Sequence, residues 1–254
     1  ADGAGRAGWA CCGPHFRGCS GELNLAPRAY HSGDFEEVGW VLARLRAQQA
    51  APLRAVGVSL GGNALLRWAE EAGDTAARTV CAVAAVSAPV DLTASGASIG
   101  RGFNRLVYTR MFLNSMKPKA LAKLAQHPGL FDRDKLAAAR TLFEFDNVFT
   151  APLHGFRDTP DYWSRASAQP QLARIRIPAL VLNARNGVGE SPVWDRARQC
   201  LWWVDIPGQA LWCWHSGTGQ ARQWPTPEQT GCIALAAGSG SQWLRHAAQR
   251  LLAA

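Results

Sequence analysis

Residues 53–73 read LRAVGVSLGGNALLRWAEEAG, and the reading of this stretch decides the fold. Residues 53–58 are a short apolar run, the length and composition of a buried strand, and Asn63 to Ala72 read as a helix. Between them Gly57-Val58-Ser59-Leu60-Gly61 fits G-x-S-x-G, in which a serine occupies a sharp strand-to-helix turn. Glycine is expected on both flanks because a Cβ at either would collide with neighbouring backbone. Such a turn lifts the Ser59 hydroxyl above the sheet edge and aims the Leu60 N–H, at the start of the helix, toward a developing oxyanion. Ser59 is therefore the candidate nucleophile and Leu60 the candidate oxyanion donor. The competing reading is a tight Gly-rich turn with no chemistry. The same pattern recurs as Gly96-Ala97-Ser98-Ile99-Gly100, but it follows the polar segment DLTASG with no strand leading into it. Ser98 is expected to be a loop residue.

Working outward, WACCGPHFR (9–17) reads as another short buried strand. In SGDFEEVGWVLARLRAQQ, Phe35, Val38, Leu42 and Leu45 recur at helical spacing, with Asp34 placed to cap and Glu37 three residues on. TVCAVAAVSAPV is a third strand candidate. Alternation of strand and helix predicts a parallel sheet flanked by helices on both faces. From about 94 to 171 the pattern turns helical and irregular. KPKALAKLA and RDKLAAARTLFEF are helix-like, with breaks expected at Pro118, Pro128 and Gly129. An insertion of this kind often lies over the C-terminal sheet edge and shapes a pocket. IRIPALVLNAR (175–185) returns to a buried strand.

Beyond Arg185 the texture changes. LWWVDIPGQALWCWHSGTGQARQW alternates bulky and polar residues around Pro-Gly and Gly-Thr-Gly turns, the pattern of antiparallel hairpins. QWLRHAAQRLLAA then places Trp243, Ala247, Ala248 and Leu251 on one helical stripe. A boundary is expected near Asn186.

The 254 residues suffice for a sizeable core, and 48% hydrophobic with 18% charged residues is a globular composition. No apolar run approaches a membrane span and the start lacks a signal-peptide pattern, so a soluble, cytoplasmic protein is expected. The first residue is Ala1, which fits a trimmed or partial chain. A net charge of +8 is spread through helices and loops rather than gathered on one face, which argues against a nucleic-acid partner. Seven cysteines with no C-x-x-C pair suit reduced, buried thiols, Cys11, Cys12 and Cys81 among them, and no metal-thiolate site.

The segments PHFRGCSGELN (14–24), RAYHSGD (28–34), GVSLGGN (57–63), FDNVFTAPLHGF (145–156), DYW (161–163) and the strand ending LNAR together resemble the YheT-type branch of the α/β-hydrolases. The resemblance implies hydrolysis of a carboxylic ester of lipid-like type, with Ser59 attacking, a His taking its proton and an Asp orienting that His. It also exposes three departures. The family's His-Gly segment, which donates a second oxyanion N–H, has no counterpart in Ala1 to Gly8. Asn186 and Gly187 stand where the catalytic Asp is expected, and no Gly-Gly-His occurs near the C-terminus.

From Val188 to Ala237 the chain resembles the opening blade of the SMP-30/gluconolactonase propellers. In that family a Glu at the place of Glu190 binds a divalent metal used in lactone hydrolysis. One carboxylate cannot make a site that wants about six oxygens, so Glu190 reads as a solvated loop residue. Chain order would allow a substitute triad of Ser59, Glu190 and His215 or His246, with His215 assigned to a hairpin turn. His15, His31, His127 and His154 read as structural, and Asp91 as either a spare acid or a helix cap.

The expectation is thus an α/β protein. Residues 1–185 form an incomplete α/β-hydrolase core with a helical cap at about 94–171, and residues 186–254 form a hairpin segment with a terminal helix. Its function is hydrolysis of a small-molecule ester through Ser59, impaired by the missing Asp and His, without cofactor or metal. The alternatives are a non-catalytic chimeric remnant and a metal-dependent sugar lactonase. Oligomeric state is left open.

Overall fold

A computed structural model of the chain describes residues 10–102, 105–181, 189–195, 197–206, 208–235 and 243–247. Its first sheet is parallel, in the order β1 (Arg54–Val58), β2 (Ala82–Val86), β3 (Ala179–Val181). Val56 stands beside Ala84 and Ala84 beside Leu180. Two helices precede and follow β1: α1 (Phe35–Gln48) and α2 (Leu60–Ala72). Leu65, Leu66, Trp68 and Ala69 of α2 are buried in one cluster with Val83, Ala85 and Ile177, and Leu42, Phe35 and Val38 of α1 join it. The α-helical period of 3.6 meeting the strand period of 2 builds this core from few residues.

Three details stand out beyond the expected sheet-and-helix core. First, Val56 and Val58, on the face of β1 turned away from α2, are 67% and 54% exposed. Second, residues 10–16 form no strand, because Gly13-Pro14 interrupts the run and Pro has no N–H for a ladder. Cys11 and Cys12 are exposed, as is Cys81, whereas among the described thiols Cys200 and Cys213 are buried. Third, Asp34 makes no side-chain cap. Its carboxylate accepts from Arg28 at 2.9 Å, and Glu37 pairs with Arg17 at 3.0 Å, so both acids tie the preceding loop to α1 instead.

The segment after β2 is helical as expected. Asp91 caps α3 (Leu92–Ile99) by accepting from Ala94 N, which is its role here rather than that of a spare acid. Ser98 lies inside α3, not in a loop, and Gly96 has a packing reason: a Cβ there would come 2.3 Å from the Trp163 ring. Helix α4 (Arg110–Gln126) runs through Pro118 without the expected break. Leu113 and Ala120, on either side of that proline, are buried against Leu136, Phe145 and Phe149, and this packing holds the helix across the missing hydrogen bond. The stretch RDKLAAARTLFEF is two helices instead of one. Asp132 caps α5 (Arg133–Ala138), and Thr141 caps a new turn over Leu142–Phe145. A run of short turns continues to Leu153, and Asp158 caps α6 (Thr159–Ala166).

The C-terminal part is antiparallel, as its turn pattern indicated. Strands β4 (Gly189–Asp195), β5 (Cys200–Asp205), β6 (Ala210–His215) and β7 (Ala221–Pro225) follow one another in a four-stranded sheet. Strands β8 (Thr230–Leu235) and β9 (Trp243–Ala247) form a separate pair. Trp243 to Ala247 is therefore a strand where a helix was expected. The residues that made a helical stripe also suit a ladder, and the β8 edge supplies its partner, overriding local propensity. Glu190 lies in β4 opposite Val204 rather than in a loop, and His215 ends β6 opposite Cys200 rather than occupying the turn. The expected boundary at Asn186, the positions Asn186 and Gly187, residues 1–9 and the stripe positions Ala248 and Leu251 lie outside the described residues.

Candidate active site

Strand β1 ends at Val58 and α2 begins at Leu60, so Ser59 alone makes the turn. Its backbone is at φ 52°, ψ −127°, a region that L residues with a Cβ rarely enter. Several hydrogen bonds hold it there. Ser59 N donates to Val86 O of the neighbouring strand at 2.9 Å, and Ser59 O accepts from Gly62 N at 2.9 Å and Asn63 N at 3.4 Å. Ser59 is exposed, at the carboxyl end of the sheet. The Leu60 N–H, first in its helix, has no intrahelical acceptor and lies at the positive end of the macrodipole.

The flanking glycines do not share one role. A Cβ on Gly57 would meet Gly61 O at 2.4 Å, Gly62 Cα at 2.6 Å and Gly61 C at 2.7 Å, all backbone. On Gly62 it would meet Ala88 Cβ at 2.8 Å. On Gly61 the nearest atom is in the Phe16 ring at 3.5 Å, an ordinary contact. The close approach of helix to strand therefore needs Gly57 and Gly62, whereas Gly61, expected to be sterically required, has room. Ser87, just after β2, also has a positive φ of 51°. Adjacent strands thus end on two strained serines, and nothing in the sequence around Ser87 announces the second.

Asn63, fully buried one turn into α2, anchors this turn to distant chain. Its Nδ2 donates to Ser32 O and Ala166 O, both at 2.8 Å, and its Oδ1 accepts from Ala168 N at 3.0 Å. The loop that Asn63 grips is fixed again by Tyr162, whose hydroxyl accepts from Ser32 N at 2.9 Å. Phe16 stacks on Tyr30 with centroids 5.5 Å apart, placing an aromatic pair beside the first turn of α2. Sequence spacing gave no hint of Asn63, because its partners are 31 to 105 positions away.

Two histidines, His31 and His154, are held in place by hydrogen bonds to backbone. His31 Nδ1 accepts from Gly33 N, and its ring lies 4.5 Å from that of His154. Burial, and then the neighbouring His154, pull His31 down from an ordinary 6.5 to about 4. His154 lies between Thr150 O and Ala29 O, at 2.7 and 2.8 Å from its two ring nitrogens. His127 Nε2 contacts Leu25 O, and His15 is exposed in a loop. Among the described residues, no imidazole or carboxylate hydrogen-bonds the Ser59 hydroxyl. Two other acids have carboxyls raised well above their ordinary values. Asp146 is raised to about 6 by burial, against hydrogen bonds from Thr150 and Trp163. Glu70 is raised to about 7 by burial, against its Arg67 partner. No group of three potential metal ligands occurs among the described residues, and no helix there is long and apolar enough to cross a membrane.

Known proteins resemble two parts of this chain. It is 42% identical over 187 residues to "Putative esterase YheT" of Escherichia coli, a match covering 72% of this chain and 54% of that protein. It is 30% identical over 186 residues to phospholipase ABHD3 of Mus musculus, covering 71% and 44%. It is also 26% identical over 183 residues to monoacylglycerol lipase of Saccharomyces cerevisiae, covering 69% and 40%. The chain thus spans about half the length of these relatives. Residues 188–251 match the model of the SMP-30/Gluconolactonase/LRE-like region. The chain therefore joins an incomplete α/β core, homologous to esterases and lipases of the α/β-hydrolase superfamily, to a segment of SMP-30/gluconolactonase type.

Proposed function

We propose that the chain carries the nucleophile half of a serine esterase acting on small-molecule carboxylic esters of lipid-like type. Ser59 is the nucleophile at a nucleophile elbow, and the Leu60 N–H is one donor of the oxyanion hole. The observation that carries this reading is the Ser59 backbone at φ 52° in a one-residue turn between β1 and α2. A strained, exposed hydroxyl at the carboxyl end of a parallel sheet fits nucleophilic attack and serves no packing purpose. The reading treats residues 1–185 as the hydrolase-like unit, with about 94–171 as its cap, and residues 186–254 as an appended hairpin segment.

The same reading holds activity to be low. A serine hydroxyl attacks efficiently only when a base removes its proton, and loss of a triad member removes several orders of magnitude. Neither His31, held neutral far from its usual range, nor His154, pinned between two carbonyls, is free for that task. A fluorophosphonate probe followed by intact-mass analysis tests the proposal. One adduct, lost in Ser59→Ala and retained in Ser98→Ala, supports it. An unlabelled folded protein refutes the nucleophile assignment.

A second reading is favoured by the open face of β1. Exposed Val56 and Val58 on an edge strand suit a non-catalytic remnant of the fold. It predicts no adduct and no ester turnover above the Ser59→Ala background. The lactonase reading finds no cluster of metal ligands among the described residues.

A further inference from the structure

The register of β5 and β6 sets Cys200 opposite His215 and Cys213 opposite Trp202. Opposed residues share a face and so do alternate residues, so the two cysteines are diagonal neighbours on one side of the sheet. Both are free, and they are 6% and 7% exposed. Their thiols are also bonded in series. Cys200 Sγ donates to Arg198 O at 3.2 Å, which leaves its sulfur to accept from Cys213. Charged groups frame the pair from each neighbouring strand: Asp195 on β4 opposite Cys200, Arg198 in the connecting turn, and Arg222 on β7 opposite Cys213. The thiols thus combine a hydrogen bond to each other, burial from bulk solvent and a place on two paired strands of a four-stranded sheet.

We propose that Cys200 and Cys213 are a redox-modification site, oxidised by a disulfide of the glutathione class to a cross-strand disulfide that locks β5 to β6. In the first step a Cys213 or Cys200 thiolate attacks one sulfur of oxidised glutathione, forming a mixed disulfide and releasing one glutathione thiolate. The second cysteine then attacks the mixed disulfide and releases the other glutathione. Two protein thiols are oxidised, one glutathione disulfide is reduced to two glutathione molecules, and the two protein protons pass to the leaving thiolates. Burial pushes the Cys213 thiol up to about 12, so the reaction is slow and requires local opening of the hairpin. Cys11 and Cys12 are neighbours in an exposed loop and Cys81 is exposed with its thiol donating to Leu53 O, so these thiols differ from the buried cross-strand pair. The proposal is independent of Ser59.

The test uses the full chain. The folded protein is incubated with oxidised glutathione, its remaining thiols are alkylated in denaturant, and it is cut with a protease that cleaves before aspartate. Cleavage before Asp205 separates the two cysteines, so an internal bridge appears as a linked pair of fragments that reducing agent dissolves. The fragment beginning at Asp205 also contains Cys232, so the cross-link must disappear in Cys213→Ser and persist in Cys232→Ser. Expected are that linked pair and the loss of alkylation at both Cys200 and Cys213. Recovery of both cysteines alkylated or as separate glutathione adducts overturns the proposal, as does a cross-link to Cys11, Cys12 or Cys81.

Discussion

Replacing Gly57 by Ala probes the turn at Ser59 more directly than any change at the serine itself. The added methyl would lie 2.4 to 2.7 Å from three backbone atoms of Gly61 and Gly62, where ordinary contact needs about 3.4 Å or more. No side chain can swing away, so the first turn of α2 must retreat from β1 by roughly 0.7 to 1 Å. That retreat breaks the Gly62 and Asn63 bonds to Ser59 O and loosens the Leu65–Val83 contact zone. Overpacking of this kind costs about 3 kcal/mol. For a chain of this size that lowers Tm by on the order of 6 to 12 °C. Gly61→Ala is the matched control. Its methyl meets only the Phe16 ring at 3.5 Å, and a helical Gly→Ala change is worth roughly 0.5 to 1 kcal/mol of added stability. Urea denaturation followed by circular dichroism measures both, and the signs should differ. Equal losses in the two variants would refute the claim that strand and helix touch at Gly57, and with it the geometry assigned to Ser59.

Other outcomes follow from the buried polar groups. Asn63→Ala strips partners from Ser32 O, Ala166 O and Ala168 N and is expected to lower stability by about 3 kcal/mol or more; a loss under about 1 kcal/mol contradicts the anchoring role. Tyr162→Phe leaves Ser32 N without an acceptor, an expected cost of about 1 to 3 kcal/mol in the same assay, and an unchanged midpoint counts against it. Glu70 and His31 bias stability in opposite directions with pH. The Glu70 carboxyl is raised from 4.5 to about 7, so its contribution is present below pH 4.5 and is lost as pH rises through about 7. The His31 imidazole is lowered from 6.5 to about 4, so its contribution is present above pH 6.5 and is lost as pH falls through about 4. Each is worth about 3 kcal/mol over its window. Relative to wild type, Glu70→Gln should therefore gain on going from pH 4.5 to 7.5 and His31→Asn should lose. Differences that stay flat with pH remove the argument.

Legibility divided along local and non-local lines. The strand at 54–58, the helix after it, the parallel sheet and the hairpins all rest on short-range patterns, and the chain wrote them plainly. What failed depended on partners far away. Pro118 reads as a breaker until Leu113 and Ala120 are seen packed against Leu136 and Phe149. Trp243 to Ala247 reads as a helical stripe until β8 lies alongside it. Gly96 in the second G-x-S-x-G looks like half a motif until the Trp163 ring occupies the space its Cβ would take. Within the candidate site, Ser59 was legible because its turn is local. Asn63 and Ser87 were not, because a hydrogen-bond network and a backbone strain leave no periodicity.

The turn at Ser59 is held by groups that no catalytic cycle requires. Gly57 and Gly62 allow α2 to approach β1, Val86 O fixes the Ser59 N–H, and Asn63 ties the first turn to residues 32 and 166–168. Each of these acts through backbone or buried amide, so the strained conformation persists whether or not a base stands near the hydroxyl. Strain at a residue is maintained only when its surroundings over-determine it, and here that scaffold lies wholly within residues 32 to 168. Shape and reactivity are therefore separable in this chain. Variants of Gly57 or Asn63 should change both folding and probe labelling, whereas Ser59→Ala, which keeps the Cβ and so the same turn, should change labelling alone. A Ser59→Ala protein markedly less stable than wild type would mean that the hydroxyl itself holds the structure together, and that the serine belongs to the scaffold rather than to a site.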